Sequence, residues 1–258
     1  MGSALIRGLV NSGKTSGDSI DVFDVDHGAT QALHEDFRVV QAERAEDTIT
    51  PETGMLVLAV KPQIIGDALD RVRDKISDRP VVVSIAAGVS TGFILSHLNS
   101  AARVIRVMPN AAAMVGQSAS ALCKAGGADE EDLEQALEIF RSIGAAVTVD
   151  EKMMNVATAL SGSGPGYLFA IMEAMTDAAV RMGMDRPTAR DLTVRTVQGA
   201  AAMAATENTS FSELKDRITS PGGTTIAGLH VLERAGLRGI IMDVIEAATR
   251  RGEELGSG

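Results

Sequence analysis

The stretch Met55-Leu56-Val57-Leu58-Ala59-Val60-Lys61-Pro62 is an unbroken apolar run closed by a cation and a proline. A strand with one wet face alternates apolar and polar residues. A run that is apolar at every position suits a strand covered on both faces, as in a parallel sheet between helices. Shorter β-rich, largely apolar runs recur at residues 20–24, 81–85 and 104–107. Helical stretches flank them at 2–12, 29–36, 64–75 and 91–98. Alternating strand and helix demands right-handed parallel crossovers, hence a doubly wound α/β sheet. Two further runs, 119–124 and 145–149, flank an acidic helix at 129–142 and complete that sheet.

From Glu151 onward no convincing strand appears, only helical segments broken at 162–166, 183–187, 207–210, 220–223 and Gly236. The expectation is therefore a Rossmann-type domain over 1–150 followed by an all-α domain over 151–258. Within the latter, 167–182 is apolar nearly all round, with Glu173, Asp177 and Arg181 recurring every four residues as one polar stripe. Such a helix needs cover on several sides. A second copy of the chain provides it in a homodimer; packing within one chain is the alternative.

Composition narrows the function. The 258 residues carry a formal charge of -10 without a Lys/Arg cluster, which disfavours nucleic acid and anionic lipid as partners. No apolar stretch approaches the ~20 residues of a membrane span, and the start lacks the pattern of an export signal, so a cytoplasmic protein is expected. The lone Cys123 excludes an intramolecular disulfide and a paired-cysteine zinc site, and no metal is expected. Small-molecule chemistry or protein assembly remains.

Candidate site residues lie at strand ends and in one turn. Met1-Gly2-Ser3-Ala4 runs into a helix like the end of a G-x-G-x-x-G-x-A dinucleotide turn, with the opening strand and first two glycines expected to be missing. Asp24, about twenty residues on, is placed to accept ribose hydroxyls or is simply an exposed turn aspartate. Lys61 closes an apolar strand, where ligands of open α/β sheets bind, or it is solvated. Ser84-Ile85-Ala86-Ala87-Gly88-Val89 ends another strand in small residues, through ligand contact or loop packing. In Ser220-Pro221-Gly222-Gly223-Thr224-Thr225 a Gly-Gly turn flanked by hydroxyls opens a helix. The N–H groups of Gly223, Thr224 and Thr225 can grip a carboxylate there, or form an unliganded N-cap. The histidines His27, His34, His97 and His230 fall in no such motif, and no histidine general acid is expected.

Together, Leu56-Val57-Leu58-Ala59-Val60-Lys61-Pro62-Gln63, residues 83–90, Arg106-Val107-Met108-Pro109-Asn110, Ala159-Leu160-Ser161-Gly162-Ser163-Gly164-Pro165-Gly166-Tyr167 and residues 220–229 resemble the pyrroline-5-carboxylate reductases over essentially the whole chain. The resemblance implies hydride transfer from NADPH or NADH to the C=N carbon of 1-pyrroline-5-carboxylate, giving L-proline. It further implies a helical domain interlocked in a homodimer, with dimers often arranged in a ring. By the same carry-over Met1, Gly2, Ala59, Val60, Lys61, Pro62, Ala86, Ala87 and Gly88 contact the cofactor. Ser220, Gly222, Gly223, Thr224 and Thr225 hold the substrate, with Glu151 nearby; Thr225, at the ring nitrogen, and Lys61 carry the catalytic roles. Asp24 departs from the hydroxyl residue of NADPH-preferring members, and a carboxylate repelling the 2′-phosphate tilts the choice toward NADH. The rival readings are a related imine or β-hydroxyacid dehydrogenase, and an inactive homologue acting in binding or assembly.

Overall fold

A computed structural model describes residues 1–76, 79–207 and 209–256. Met1–Ser163 and Ala247–Gly258 form one compact unit, and Gly164–Glu246 a second.

The first unit runs α1 (Gly2–Asn11), β1 (Asp21–Val22), α2 (His27–Phe37), β2 (Val40–Gln41), β3 (Met55–Leu58), α3 (Ile65–Val72), β4 (Val81–Ser84), α4 (Thr91–His97), β5 (Arg103–Met108), β6 (Ser118–Gly126), α5 (Glu130–Arg141), β7 (Gly144–Thr148) and the short α6 (Met154–Ala157). Five strands form one sheet in the order β3-β4-β5-β6-β7, while β1 and β2 pair only with each other. The parallel registers Leu58↔Ser84 and Ser84↔Arg106 bring the carboxyl ends of β3, β4 and β5 to one edge.

All four residues of β4 are buried, which accounts for its run of three valines ahead of Ser84. Successive side chains point to opposite faces. Val81 and Val83 enter a core with Leu5 of α1, Ile105, Leu122 and Phe140 of α5; Val82 enters another with Leu58, Ile65 and Leu69 of α3, and Ile94 of α4. Each such side chain contributes about 1.5–3 kcal/mol by leaving water. Gly8 lets α1 approach closely, since a Cβ there would collide with Ile143 and lie 2.9 Å from the Ser142 carbonyl oxygen. Asp129 starts α5 through a reciprocal cap with Asp132.

One pairing departs from the expected all-parallel sheet: β6 runs antiparallel to β5. The residues between them, 109–117, are too few for a parallel crossover of about a dozen or more. The β7 strand then returns parallel to β6.

The second unit contains α7 (Gly164–Arg181), α8 (Arg186–Thr206), α9 (Phe211–Arg217), α10 (Thr224–Arg234) and the first part of α11 (Leu237–Gly256). The expected break at 183–187 is shorter, because Asp185 caps α8 and Pro187 lies in its first turn, where a missing N–H costs nothing. Asn208, in the expected break at 207–210, lies outside the described residues. Thr176 of α7 donates to Thr193 of α8 at 3.2 Å in a buried contact. Neither α10 nor α11 has a buried residue, and Phe169, Ile240 and Met242 are exposed. Among the described residues no helix is long and apolar enough to cross a membrane.

Candidate active site

In the first unit the site is built on the aligned carboxyl ends of β3, β4 and β5. Met1 caps α1, its carbonyl accepting the N–H groups of Ala4 and Leu5 at 3.0 and 3.1 Å. The earlier N–H groups of Gly2 and Ser3 therefore lack acceptors within the helix. A Cβ on Gly2 would stand 3.3 Å from the Ala59 Cβ, so the glycine brings the start of α1 against the end of β3. Beyond Ala59, Val60 packs on the α3 core, and exposed Lys61 precedes a 3₁₀ turn opened by Pro62.

At the end of β4, Ala86 is buried and its N–H donates to the Ser84 hydroxyl at 3.3 Å. Its carbonyl accepts from Val89 at 3.4 Å, closing a turn in which Gly88 has φ +78, a left-handed conformation suited to glycine. Gly2, Ala59, Ala86, Ala87 and Gly88 thus line this edge with small side chains, and the approach of Gly2 to Ala59 leaves backbone available to a flat ring and a pyrophosphate. These residues fit a dinucleotide. Asp24 lies exposed just after β1, and its Oδ1 accepts the N–H of Asp26 at 3.0 Å. Asp26 in turn caps α2.

Glu151, placed beside the substrate by resemblance, has its carboxylate on other partners. Its Oε1 accepts the Thr91 N–H at 2.7 Å and Arg106 Nη1 at 3.4 Å, and its Oε2 accepts the Thr91 hydroxyl. Thr91 and Arg106 are buried. Cys123, opposite Arg106 in the sheet, has its thiol pushed up to about 11, first by burial and then by the charge of Glu151, with Arg106 opposing.

In the second unit, 220–225 forms a tight turn into α10. The Gly223 N–H, expected to be free for a carboxylate, instead donates to the Ser220 carbonyl at 3.0 Å and closes the turn, in which Gly222 sits at φ +66. Gly223 caps the helix without a side chain, and the helix's first bond runs from Ala227 N–H to the Gly223 carbonyl at 3.3 Å. The N–H groups of Thr224, Thr225 and Ile226 precede that bond and are available to an anion at the positive end of the helix dipole. Thr224 is exposed and Thr225 half-buried.

Two motifs that carried the resemblance meet in the first unit. Asn110 Nδ2 donates to the Ser161 carbonyl at 3.0 Å, and a Cβ on Gly162 would stand 2.6 Å from Met108 Cε. No role had been assigned to Asn110, although its place in a quoted motif marked it. The Thr91–Glu151–Arg106 cluster joins residues 60 and 45 positions apart, and no local spacing signals it.

A sheet with glycine- and alanine-lined carboxyl ends, followed by a helical region, fits a dinucleotide-binding domain, and the family matches make it an oxidoreductase. Residues 1–88 match the family described as NADP oxidoreductase coenzyme F420-dependent, and residues 151–255 match pyrroline-5-carboxylate reductase dimerisation. A pyrroline-5-carboxylate reductase of Methanosarcina acetivorans is 43% identical over 99% of this chain and 94% of its own length. The solved pyrroline-5-carboxylate reductase of Coxiella burnetii superposes with a TM-score of 0.93 at 34% identity, covering 98% of this chain and 93% of that one. The Plasmodium falciparum pyrroline carboxylate reductase, solved with NADP bound, gives 0.86 at 28% identity, covering 99% and 94%. The chain belongs to the pyrroline-5-carboxylate reductase family.

Proposed function

We propose that this chain reduces 1-pyrroline-5-carboxylate to L-proline, the closing step of proline biosynthesis, with the 220–225 turn holding the substrate. The observation that carries this reading is the Gly222-Gly223 turn, which leaves the N–H groups of Thr224, Thr225 and Ile226 ahead of the first helical bond. A carboxylate is the complementary ligand, and 1-pyrroline-5-carboxylate carries one beside its imine. NADPH or NADH supplies the hydride when bound.

The chain's own residues then have separable tasks. The Thr224 and Thr225 N–H groups and the Ser220 hydroxyl orient the carboxylate, and Gly222 and Gly223 keep the turn tight enough for them to converge. The Thr225 hydroxyl contacts the ring nitrogen, whose protonation makes the imine carbon electrophilic. Lys61, with Ala59, Val60 and Pro62, lies along the cofactor together with Met1, Gly2 and the 86–88 loop. Asp24 faces the adenosine ribose. Positioning is the main contribution of such a site.

The match to a dimerisation family indicates self-association, and the apolar surfaces of α10 and α11 agree with it. Our reading is a cytoplasmic homodimer, with dimers assembling into a ring, in which 1–150 forms the dinucleotide domain and 151–258 the dimerisation and substrate domain. The test is to add 1-pyrroline-5-carboxylate to the chain with NADPH or NADH and follow both cofactor oxidation and proline formation. Proline equal to the cofactor consumed is expected; cofactor oxidation without proline would overturn the assignment.

A further inference from the structure

The loop that follows β4 is held from outside by residues far along the chain. On one side, both oxygens of Glu151 bind Thr91, through its N–H at 2.7 Å and its hydroxyl, at the start of α4 directly after the loop. Arg106 of β5, with only 7% of its side chain exposed, approaches the same carboxylate at 3.4 Å. On the other side, the last turn of α11 lies against Gly88: a Cβ on Gly88 would be 3.5 Å from Leu255 Cβ, and one on Gly256 would be 2.9 Å from the Gly88 carbonyl oxygen. The Ala86-Ala87-Gly88 segment therefore sits between two fixed points. Its own internal restraint is slight, a 3.3 Å bond to Ser84 and a 3.4 Å turn bond.

We infer that Glu151 is a positioning residue for the cofactor: by clamping Thr91 to Arg106 it fixes the 86–88 loop in the conformation that receives the dinucleotide, and it does not itself touch substrate. The inference rests on the reading of that loop as part of the cofactor site. A carboxylate whose two oxygens already accept from Thr91 and Arg106 is poorly placed to take on a mobile ligand, because doing so would leave a buried guanidinium unpaired.

The test uses the full chain with Glu151→Ala, Glu151→Gln and Thr91→Val, and with Lys152→Ala as an exposed neighbouring control. Amide hydrogen exchange reads the clamp directly, since the Thr91 N–H is bonded to Glu151. Exchange at Thr91 at least tenfold faster in Glu151→Ala is expected, with no change in the control. Calorimetry with NADPH should show about tenfold weaker binding in Glu151→Ala and near-complete rescue in Glu151→Gln, which keeps an oxygen for the Thr91 N–H. The KM for the imine at saturating NADPH should stay within twofold of wild type. Faster exchange with unchanged NADPH affinity, or a raised imine KM at unchanged NADPH affinity, would overturn the proposal. Should Glu151→Ala fail to fold, Thr91→Val carries the test: threefold weaker NADPH binding supports the clamp, and wild-type affinity refutes it. A wild type that binds neither NADPH nor NADH would instead defeat the dinucleotide reading of the loop and this proposal with it, a case that the exchange data tell apart from failure of the clamp alone.

Discussion

Replacing Gly223 by alanine separates the shape of the substrate turn from its stability. Gly223 has φ -78 and ψ 178, which alanine adopts without strain, so the backbone itself costs little. The added methyl would collide with the Ser220 hydroxyl and lie 3.2 Å from the Ser220 carbonyl oxygen. The hydroxyl can rotate away, and the carbonyl must give by a few tenths of an ångström, a mild overpacking worth about 1 kcal/mol of stability. The larger effect falls on the substrate. A displaced Ser220 hydroxyl loses a hydrogen bond to a charged group, worth about 1.5–3 kcal/mol, which corresponds to roughly a 10- to 150-fold rise in KM for the imine. Gly222→Ala supplies the contrast. No atom lies within 4 Å of its added Cβ, but φ is +66, so about 1–2 kcal/mol of left-handed strain should appear in the melting temperature. The assay is steady-state kinetics over imine concentration at saturating NADPH, paired with thermal unfolding and NADPH calorimetry. A Gly223→Ala enzyme with wild-type KM would show that the turn does not hold the carboxylate.

Thr225→Val keeps the side-chain volume and removes the hydroxyl; kcat/KM for the imine should fall at least about tenfold with NADPH affinity intact, and unchanged kinetics would remove Thr225 from the site. If Asp24 faces the ribose as proposed, Asp24→Ser should shift the ratio of kcat/KM values toward NADPH by several-fold, on the order of 1 kcal/mol, by deleting that charge; an unchanged ratio would show that its hydrogen bond to Asp26 is its whole role. The Cys123 thiol lies higher in the folded chain, about 11, than in an unfolded one, so its contribution to stability is complete below the ordinary thiol range and is lost as pH rises through about 11. Chemical unfolding between about pH 8 and 10.5 should therefore weaken the wild type more steeply than Cys123→Ala, whereas parallel slopes would contradict the burial argument. Ile240→Glu puts a charge on an exposed apolar face of α11 and should yield monomers by light scattering; an unaltered oligomer would place the interface elsewhere.

Legibility followed burial and locality. The strands at β3, β4 and β5 were readable because most of their side chains serve cores on both faces and leave runs that are largely apolar, broken only by the buried Ser84 and Arg106. The β2 strand was not, since two residues, Val40 and Gln41, carry no pattern. The reversal at β6 is encoded only in the length of the connection after Met108. In the site, the Gly222-Gly223 turn announces itself because a left-handed position and an uncapped helix start demand particular residues. Gly2 and Ala59 were each weak signals, and only packing shows that they meet. The environment of Glu151 was beyond sequence reasoning, because a carboxylate's partners 60 and 45 positions away depend on how the sheet and helices fold together.

Everything proposed for the substrate turns on the 220–225 segment being a carboxylate site. A crystal structure of the chain grown with NADPH and L-proline tests it most directly. The proline carboxylate is expected within hydrogen-bond distance of the Thr224 and Thr225 N–H groups, with the ring nitrogen at the Thr225 hydroxyl. Proline bound elsewhere, with an ordered and empty 220–225 turn, would contradict it.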